Sequence, residues 1–325
     1  MKENIGIVVI GRNEGERLVK CLQSIKSIGI YTVYVDSQST DNSVKAAKVF
    51  DIPTVVLDAS HPMNASRARN AGFKKLISDC PDLEYVHFID ADCELHAEWL
   101  NHAIMALDAS PQIAVVCGRL HEKFKHKNIY TRLCDMDWYV ETGEINACGG
   151  IATVKRCVFE EMQGFNEKLI AGADPELYFR IRKKDYKILC IPFDMGTHDS
   201  NIDFFSQYWK RSIKTGYAYV SNMNLGVAKK PVFSALLWGA LIPVIIGLLM
   251  ICIDPIFSLL CLMYPLQMIK IYGKSGALPF SRYSKIIYSI FCVIEKFPES
   301  IGVMKYYINF IVKHEQSIIE YKKTL

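Results

Sequence analysis

The sequence predicts an α/β domain built on a mostly parallel sheet with helices on both faces, followed by an apolar helical tail. Three features point there. Short β-branched runs alternate with helical patterns through the first 118 positions. Polar and acidic residues stand directly after the apolar runs, where open α/β sheets bind their ligands. Residues 232–253 are 22 positions without a charge.

Residues 5–10 read as the first strand, and their apolar run is too short and too early for a secretory signal. Residues 14–27 read as a helix that turns Leu18, Leu22 and Ile25 inward, and 31–36 as the second strand. A helix over 41–50 takes Asp41 as its expected N-cap. The pattern continues with strands at 54–58, 84–90 and 113–118 and helices at 65–78 and 97–109. Residues 119–147 mix charges with Phe124, Tyr130, Trp138 and Tyr139, show no period, and are read as an excursion that walls a substrate. Gly149-Gly150 opens a strand to Val154, a short helix covers 158–162, and a helix from Asp174 to about Lys184 is expected to have Asp174 as N-cap and Pro175 at N1. A strand at 186–191 and an aromatic-rich helix over 204–220 complete a front domain assigned to 1–228.

The tail, 229–325, differs in charge and hydropathy. Half of all residues are apolar and 22% are charged, but the front portion has a net charge of −2 and the tail +6. That division argues against a nucleic-acid binder and for a globular domain with a membrane-seeking tail. A helix over 232–253 is roughly 33 Å long, enough for a hydrocarbon core of about 30 Å. A second span is expected over 256–272 after the turn at Asp254-Pro255. Lys229, Lys230, Lys270 and Lys274 flank the pair and the connecting turn has no cation, which places both outer ends and the front domain on the cytosolic side. Residues 284–312 are amphipathic and expected to lie on the membrane surface. The eleven cysteines contain no Cys-x-x-Cys pair and fit a reduced compartment, with thiols used as small hydrophobes.

Several residues have the chemistry of a site. Asp90 and Asp92 close an apolar strand two positions apart, so both can face one divalent cation with oxygen ligands suited to Mg²⁺ or Mn²⁺. Asp36 ends the second strand ahead of a polar turn and can accept a hydrogen bond from a base N–H. Asp174 is either a helix cap or a general base at the mouth of the sheet. His198 is a third candidate metal ligand, and Arg67, Arg69, Lys210 and Arg211 are candidate phosphate partners or solvated surface charges. Gly11-Arg12-Asn13-Glu14-Gly15 has too few glycines for a dinucleotide fingerprint, and there is no Walker-type loop.

Taken together, residues 4 to about 220 resemble the family 2 glycosyltransferases of the GT-A fold. Five segments match in order: Val8-Val9-Ile10-Gly11-Arg12-Asn13-Glu14, Val35-Asp36-Ser37-Gln38-Ser39-Thr40-Asp41, Ala68-Arg69-Asn70-Ala71-Gly72, Asp90-Ala91-Asp92, and Gly164-Phe165-Asn166-Glu167 with Gly172-Ala173-Asp174-Pro175-Glu176. The resemblance implies a nucleotide-diphosphate sugar donor held by Arg12, Asn13, Glu14, Asp36, Arg69, Asp90, Gly149 and Gly150. It implies a cation on Asp92, Asp90 and His198, with Asp174 as the base of an inverting transfer. Ala173 stands where the family usually has Glu beside the catalytic Asp, and the Gln-x-x-Arg-Trp motif of processive synthases is only echoed at Gln207-Tyr208-Trp209-Lys210-Arg211. Single-sugar transfer to a lipid-linked or membrane glycan acceptor is therefore expected, at the cytosolic membrane face. A catalytically silent relative that binds nucleotide-sugar is the alternative. A phosphatase with an Asp-x-Asp nucleophile is disfavoured because Cys93-Glu94 follow Asp92, and a transporter by the short pair of spans.

Overall fold

The computed structural model describes residues 4–223 and 228–312. The chain forms two compact units: 1–124 with 138–200, and 125–137 with 201–325. This division differs from a cut at residue 228, because the aromatic-rich helix after residue 204 belongs with the tail helices. A segment of the excursion, 125–137, belongs there too.

The first unit is a nine-stranded sheet between two helical layers. Its elements are β1 (Ile5–Gly11), α1 (Glu16–Lys26), β2 (Thr32–Asp36), α2 (Ser43–Val49), β3 (Thr54–Val56), α3 (Ala65–Asp79), β4 (Tyr85–Asp90), β5 (Cys93–Leu95), α4 (Trp99–Asp108) and β6 (Ile113–Glu122). After α5 (Ile129–Asp137), which lies in the second unit, come β7 (Gly143–Glu144), β8 (Ala152–Lys155), α6 (Arg156–Glu161), α7 (Ala173–Lys183) and β9 (Lys187–His198). The strand order is β3-β2-β1-β4-β8-β6-β9-β5, with β7 added to β9. Strands β3, β2, β1 and β4 are parallel, as are β6 and β9, whereas β8 runs antiparallel between β4 and β6. The sheet is thus mixed, with its parallel half at the amino-terminal end of the chain.

Alternation along β1 decides which layer packs where. Ile5, Ile7 and Val9 meet Leu18, Leu22 and Ile25 of α1 together with Trp99, Leu100 and Ile104 of α4. Val8 and Ile10 face the opposite layer, with Leu76 of α3, Phe159 of α6 and Leu177 and Ile181 of α7. Near-continuous apolar runs such as Ile-Gly-Ile-Val-Val-Ile are what a strand covered on both faces requires.

Local details depart from the sequence reading. Asn42, not Asp41, precedes α2; Asp41 instead accepts from Ser43 N at 2.9 Å and from Gly15 N at 3.1 Å, tying two loops together. Gly172 (φ 81°) is the N-cap of α7, so Asp174 lies inside the first turn with its side chain available for a partner other than the helix end. Strands β6 and β9 run on to Glu122 and His198, several residues beyond the expected 118 and 191, and hydrogen-bond along that extension.

The second unit is helical: α5, α8 (Phe205–Ser221), α9 (Lys229–Leu236), α10 (Ile242–Cys252), α11 (Met263–Lys274), α12 (Arg282–Ile294) and α13 (Lys296–Ile311). The stretches Lys229–Cys252 and Pro255–Ala277 are long and apolar enough to cross a membrane. Between α9 and α10 the backbone widens into a π-turn at Leu237–Leu241. Pro243 follows it, and the wider turn relieves the clash between the proline ring and the carbonyl four residues back. A 3₁₀ segment, Pro255–Leu262, opens the second stretch, capped by the Asp254 carboxylate on Ile256 N.

Helices α12 and α13 use their apolar faces largely within the unit. Ile287 and Phe291 pack on Tyr208 of α8 and Leu133 of α5, and Val303 packs on Val220 and Val232. Part of the amphipathic pattern is thus answered by neighbouring helices, while Ile286, Ile301, Met304, Ile308, Phe310 and Ile311 stay exposed. Helices α8 and α13 approach backbone to backbone, since a Cβ on Gly302 would stand 2.1 Å from Ile213 O. Glu299 is buried here, beside the half-buried Lys296 and Glu295. Lys296 Nζ lies 2.7 Å from Glu299 and 3.5 Å from Glu295, and the hydroxyls of Tyr219 and Tyr208 donate to Glu299 and Glu295 at 3.1 and 3.2 Å. Burial, with Glu299 beside it, pushes the Glu295 carboxyl up to about 7.

Candidate active site

The site is built at the carboxyl ends of β1, β2 and β4. Gly11 of β1 is register-paired with Asp36 of β2, and Ile10 with Asp90 of β4. One strand separates the two acids, so their backbones are about 10 Å apart. The parallel topology therefore gathers three of the sequence's polar strand ends on one rim.

Around Asp36 the rim is a tight polar corner. Its carboxylate is buried and accepts from Tyr34 Oη at 2.9 Å and Ser39 N at 2.8 Å. Asn13, in the left-handed region at φ 56°, accepts from Thr40 N at 2.7 Å and donates its own N–H to Ser39 Oγ at 2.9 Å. Glu14 is paired with Arg17 at 2.7 Å, and Arg17 reaches Asp199 O at 3.4 Å. Asp36 thus shapes the turn 37–41, and Arg12, Asn13 and Glu14 form the facing loop.

Arg69 organises the centre. It projects from α3 with its side chain 4% exposed and forks to two carboxylates, Nη2 to Asp90 Oδ1 at 2.8 Å and Nη1 to Asp174 Oδ1 at 3.1 Å. Burial works against its charge, but Asp90 and Asp174 outweigh that and raise its pKa further. The two acids keep side-chain exposures of 39% and 27%, so the cation is sealed while its partners face outward. Gly150 is fixed by this arrangement: a Cβ there would stand 2.0 Å from Arg69 Nη2. A guanidinium thus imposes a glycine at position 150.

Asp92 is engaged by His198. His198, the last residue of β9, is register-paired with both Cys93 of β5 and Glu122 of β6. Its Nε2 is 3.3 Å from Asp92 Oδ2 and its Nδ1 2.8 Å from Glu122 Oε2. Burial disfavours the His198 cation, but the two carboxylates prevail and hold its pKa at about 10. Glu122 is fully buried and accepts twice more, from Ser200 N and Oγ at 2.8 and 3.0 Å. Asp92, Cys93 and His198 bring one ligand atom each within 4.8 Å of the others. For Mg²⁺ or Mn²⁺ the harder carboxylate–imidazole pair is a better donor set than the Cys93 thiol. The Glu122–His198–Asp92 order is that of a metal-ligating histidine oriented by a second carboxylate.

Of the sequence-predicted residues, the structure gathers Arg12, Asn13, Glu14 and Asp36 at one corner and Arg69, Asp90, Asp174 and Gly150 at the centre. It joins Asp92 to His198, and separates Asp90 from that pair by engaging it with Arg69. Two residues were missed. Glu122 lies beyond the apparent end of its strand, and only the length of β6 brings it to His198. Trp138 packs edge to face on the His198 ring, with centroids 5.0 Å apart, and lies 3.2 Å from where a Gly149 Cβ would be; its indole N–H is buried without a partner. It sits in the stretch whose sequence shows no period, where its only signal is that it is a tryptophan.

This fold and site define a GT-A type nucleotide-sugar transferase domain: a mixed α/β sheet with an acidic rim, an Asp-x-Asp at the end of its fourth strand and a carboxylate opposite. Residues 6–161 match the model of Glycosyl transferase family 2. No curated protein matches the sequence. Among solved structures, the mannosyltransferase PcManGT from Pyrobaculum calidifontis, in complex with GDP-Man and Mn²⁺, is similar over 93% of this chain and 87% of its own. The identity is 16% and the TM-score 0.60. A mycobacterial protein is similar over 67% of this chain and 74% of its own, at 14% identity and a TM-score of 0.50. Glucosyl-3-phosphoglycerate synthase from Mycobacterium tuberculosis, with Mn²⁺, UDP and glucosyl-3-phosphoglycerate, covers 69% of this chain and 81% of its own, at 13% identity and a TM-score of 0.49. At such identities the likeness is one of fold.

Proposed function

We propose that this glycosyltransferase transfers a single sugar, with inversion, from a nucleotide-diphosphate sugar to a hydroxyl of a lipid-linked acceptor at the cytosolic membrane face. The observation that carries the reading is the Arg69 fork, which holds Asp174 and Asp90 on one guanidinium beside Gly150. The nucleoside lies against the corner formed by Arg12, Asn13, Glu14 and the turn after Asp36. The diphosphate runs past Asp90 towards Asp92.

A divalent cation, Mg²⁺ or Mn²⁺, fits the Asp92–His198 pair. When bound, it offsets the charge that develops on the leaving diphosphate. His198 has to release the Nε2 proton to accept it, while Nδ1–H stays on Glu122. Asp174 receives the proton of the acceptor hydroxyl as that oxygen bonds to the anomeric carbon and the bond from that carbon to the diphosphate oxygen breaks. Arg69 holds Asp174 oriented for this step.

A lipid acceptor is favoured by the second unit. Large apolar side chains are exposed from Leu241 through Val244, Leu248, Ile251, Ile256, Leu259 and Leu266 to Ile269. Such a surface belongs in lipid rather than water. The test is nucleotide release from a panel of activated sugars with Mn²⁺ or Mg²⁺ and membrane extract as acceptor. Turnover should be metal-dependent and should fall about 10²–10⁴-fold in Asp174→Asn while donor binding persists. Undiminished turnover in that variant would reject the base. Donor binding without turnover in the wild type would identify a silent relative.

A further inference from the structure

Cys93 borders the Asp92–His198 pair. It opens β5 one residue after Asp92 and is register-paired with His198, the last residue of β9, across an antiparallel ladder. Residues opposed in this way put their side chains on the same face of the sheet. The Cys93 thiol donates to Asp92 Oδ1 at 3.4 Å, and His198 Nε2 lies 3.3 Å from Asp92 Oδ2. The Asp92 carboxylate thus stands between a sulfur and a nitrogen. One donor atom from each of the three residues lies within 4.8 Å of the other two.

Bond lengths decide whether one ion can span them. Zn²⁺ binds oxygen, nitrogen and sulfur donors at about 2.0–2.3 Å, so donors around a tetrahedral ion stand roughly 3.3–3.6 Å apart. The two separations made through Asp92 fall in that range. The third, within 4.8 Å, closes by side-chain rotation. Cys93 is 1% exposed, against 7% for Asp92 and 9% for His198, so the sulfur is the innermost of the three donors. A thiol placed there separates cations by softness. Mg²⁺ takes oxygen ligands and keeps its water, whereas Zn²⁺ accepts sulfur, nitrogen and oxygen together.

We propose that Cys93 is a third metal ligand beside Asp92 and His198, and that its sulfur makes the site hold Zn²⁺ in preference to Mg²⁺ or Mn²⁺. Zn²⁺ then competes for the place of the activating cation. As the sulfur–zinc and nitrogen–zinc bonds form, the thiol proton and the Nε2 proton leave to solvent, and nothing is oxidised or reduced. A hard cation leaves the thiol protonated and uses the carboxylate–imidazole pair alone. The inference deepens the cation site of the proposed transferase and rests on that site, but its test needs no sugar donor.

Metal-free full-length protein is titrated with Co²⁺, a spectroscopic stand-in for Zn²⁺. The expected result is a near-ultraviolet sulfur-to-cobalt charge-transfer band that saturates at one ion per chain. Equimolar Zn²⁺ should displace it, and Mn²⁺ should do so only in large excess. Cys93→Ser should abolish the band and weaken Zn²⁺ binding about tenfold or more, while Mn²⁺ affinity, read by electron paramagnetic resonance, changes less than about threefold. Circular dichroism checks the fold of the variant. Cys93→Ala replaces it if the serine form does not fold, and displacement by Mn²⁺ in the wild type needs no variant.

A wild-type spectrum without the band, or a band that excess Mn²⁺ leaves in place, would overturn the proposal. So would a band kept in Cys93→Ser, which would belong to the exposed Cys157, Cys252 or Cys261. Equal losses of Zn²⁺ and Mn²⁺ affinity would also overturn it. The ordinary affinity order already ranks Zn²⁺ above Mn²⁺, so only a change in their ratio reports the sulfur. The band in a protein that releases no nucleotide would support the ligand set and count against the transferase reading alone.

Discussion

The two units bury charge in opposite ways. In the first, Arg69 is sealed but its partners Asp90 and Asp174 remain about a third exposed. In the second, Glu299 has a side-chain exposure of 2%, is paired with Lys296 and is capped by Tyr219. A buried ion pair is weak ground for stability, because desolvation offsets much of the attraction. What it provides is fixed geometry, and the difference lies in what that geometry faces. The Arg69 group opens to solvent at the rim of the sheet, where a ligand can complete it. In the Lys296 group the sealed member is a carboxylate, Glu299, already held by Lys296 and Tyr219.

That contrast orders the expected effects. Arg69→Met should be the most damaging change. It leaves two part-exposed carboxylates facing each other and frees the Gly149-Gly150 segment, so turnover should fall at least ~100-fold and stability by about 1–3 kcal/mol. Activity assays and thermal melts read both; a stable, active variant would remove Arg69 from the centre of the site. Next is Glu122→Gln, which keeps shape but weakens the orientation of His198. Metal affinity should drop 10–100-fold, roughly the range for such second carboxylates, measured as the Mn²⁺ concentration for half-maximal turnover. An unchanged metal requirement would separate His198 from the cation.

Lys296→Met tests the closed cluster. It should cost about 3–5 kcal/mol of stability by leaving Glu299 unpaired, with KM for the donor unchanged in the protein that remains folded. A donor KM effect would mean the second cluster is more than structural. The smallest effect concerns pH. Glu295 has its folded pKa raised from 4.5 to about 7, so folding takes up protons there. Its favourable share of stability is complete below about 4.5 and is lost as pH rises to about 7. Glu295→Gln should flatten that part of the pH–stability curve, and an unaltered slope would show that the carboxyl is not buried.

Most strands and helices were legible because their signal is local. Apolar runs bounded by polar turns marked β1, β2 and β4, and periodicity placed Leu18, Leu22 and Ile25 on the inner face of α1. Asp36, Asp90 and Asp92 could be singled out because they stand where those runs stop. Non-local features were not legible in this way. Nothing in the order Gly-Ala-Asp-Pro-Glu shows that Asp174 belongs to Arg69, and the capping rules drew attention to the helix end instead. Glu122 and the full length of β9 were hidden because late strand residues alternate with charges, and only pairing between β6 and β9 shows that they remain in the sheet.

The sequence by itself determined the α/β architecture, the acidic strand ends and an apolar tail, because hydrophobic period and turn chemistry are written into neighbouring residues. The tertiary structure alone decided that one buried guanidinium joins Asp90 to Asp174 and that His198 lies between Asp92 and Glu122. Each of these contacts joins residues distant in the chain. Their energies depend on burial and on separations that only the folded sheet fixes.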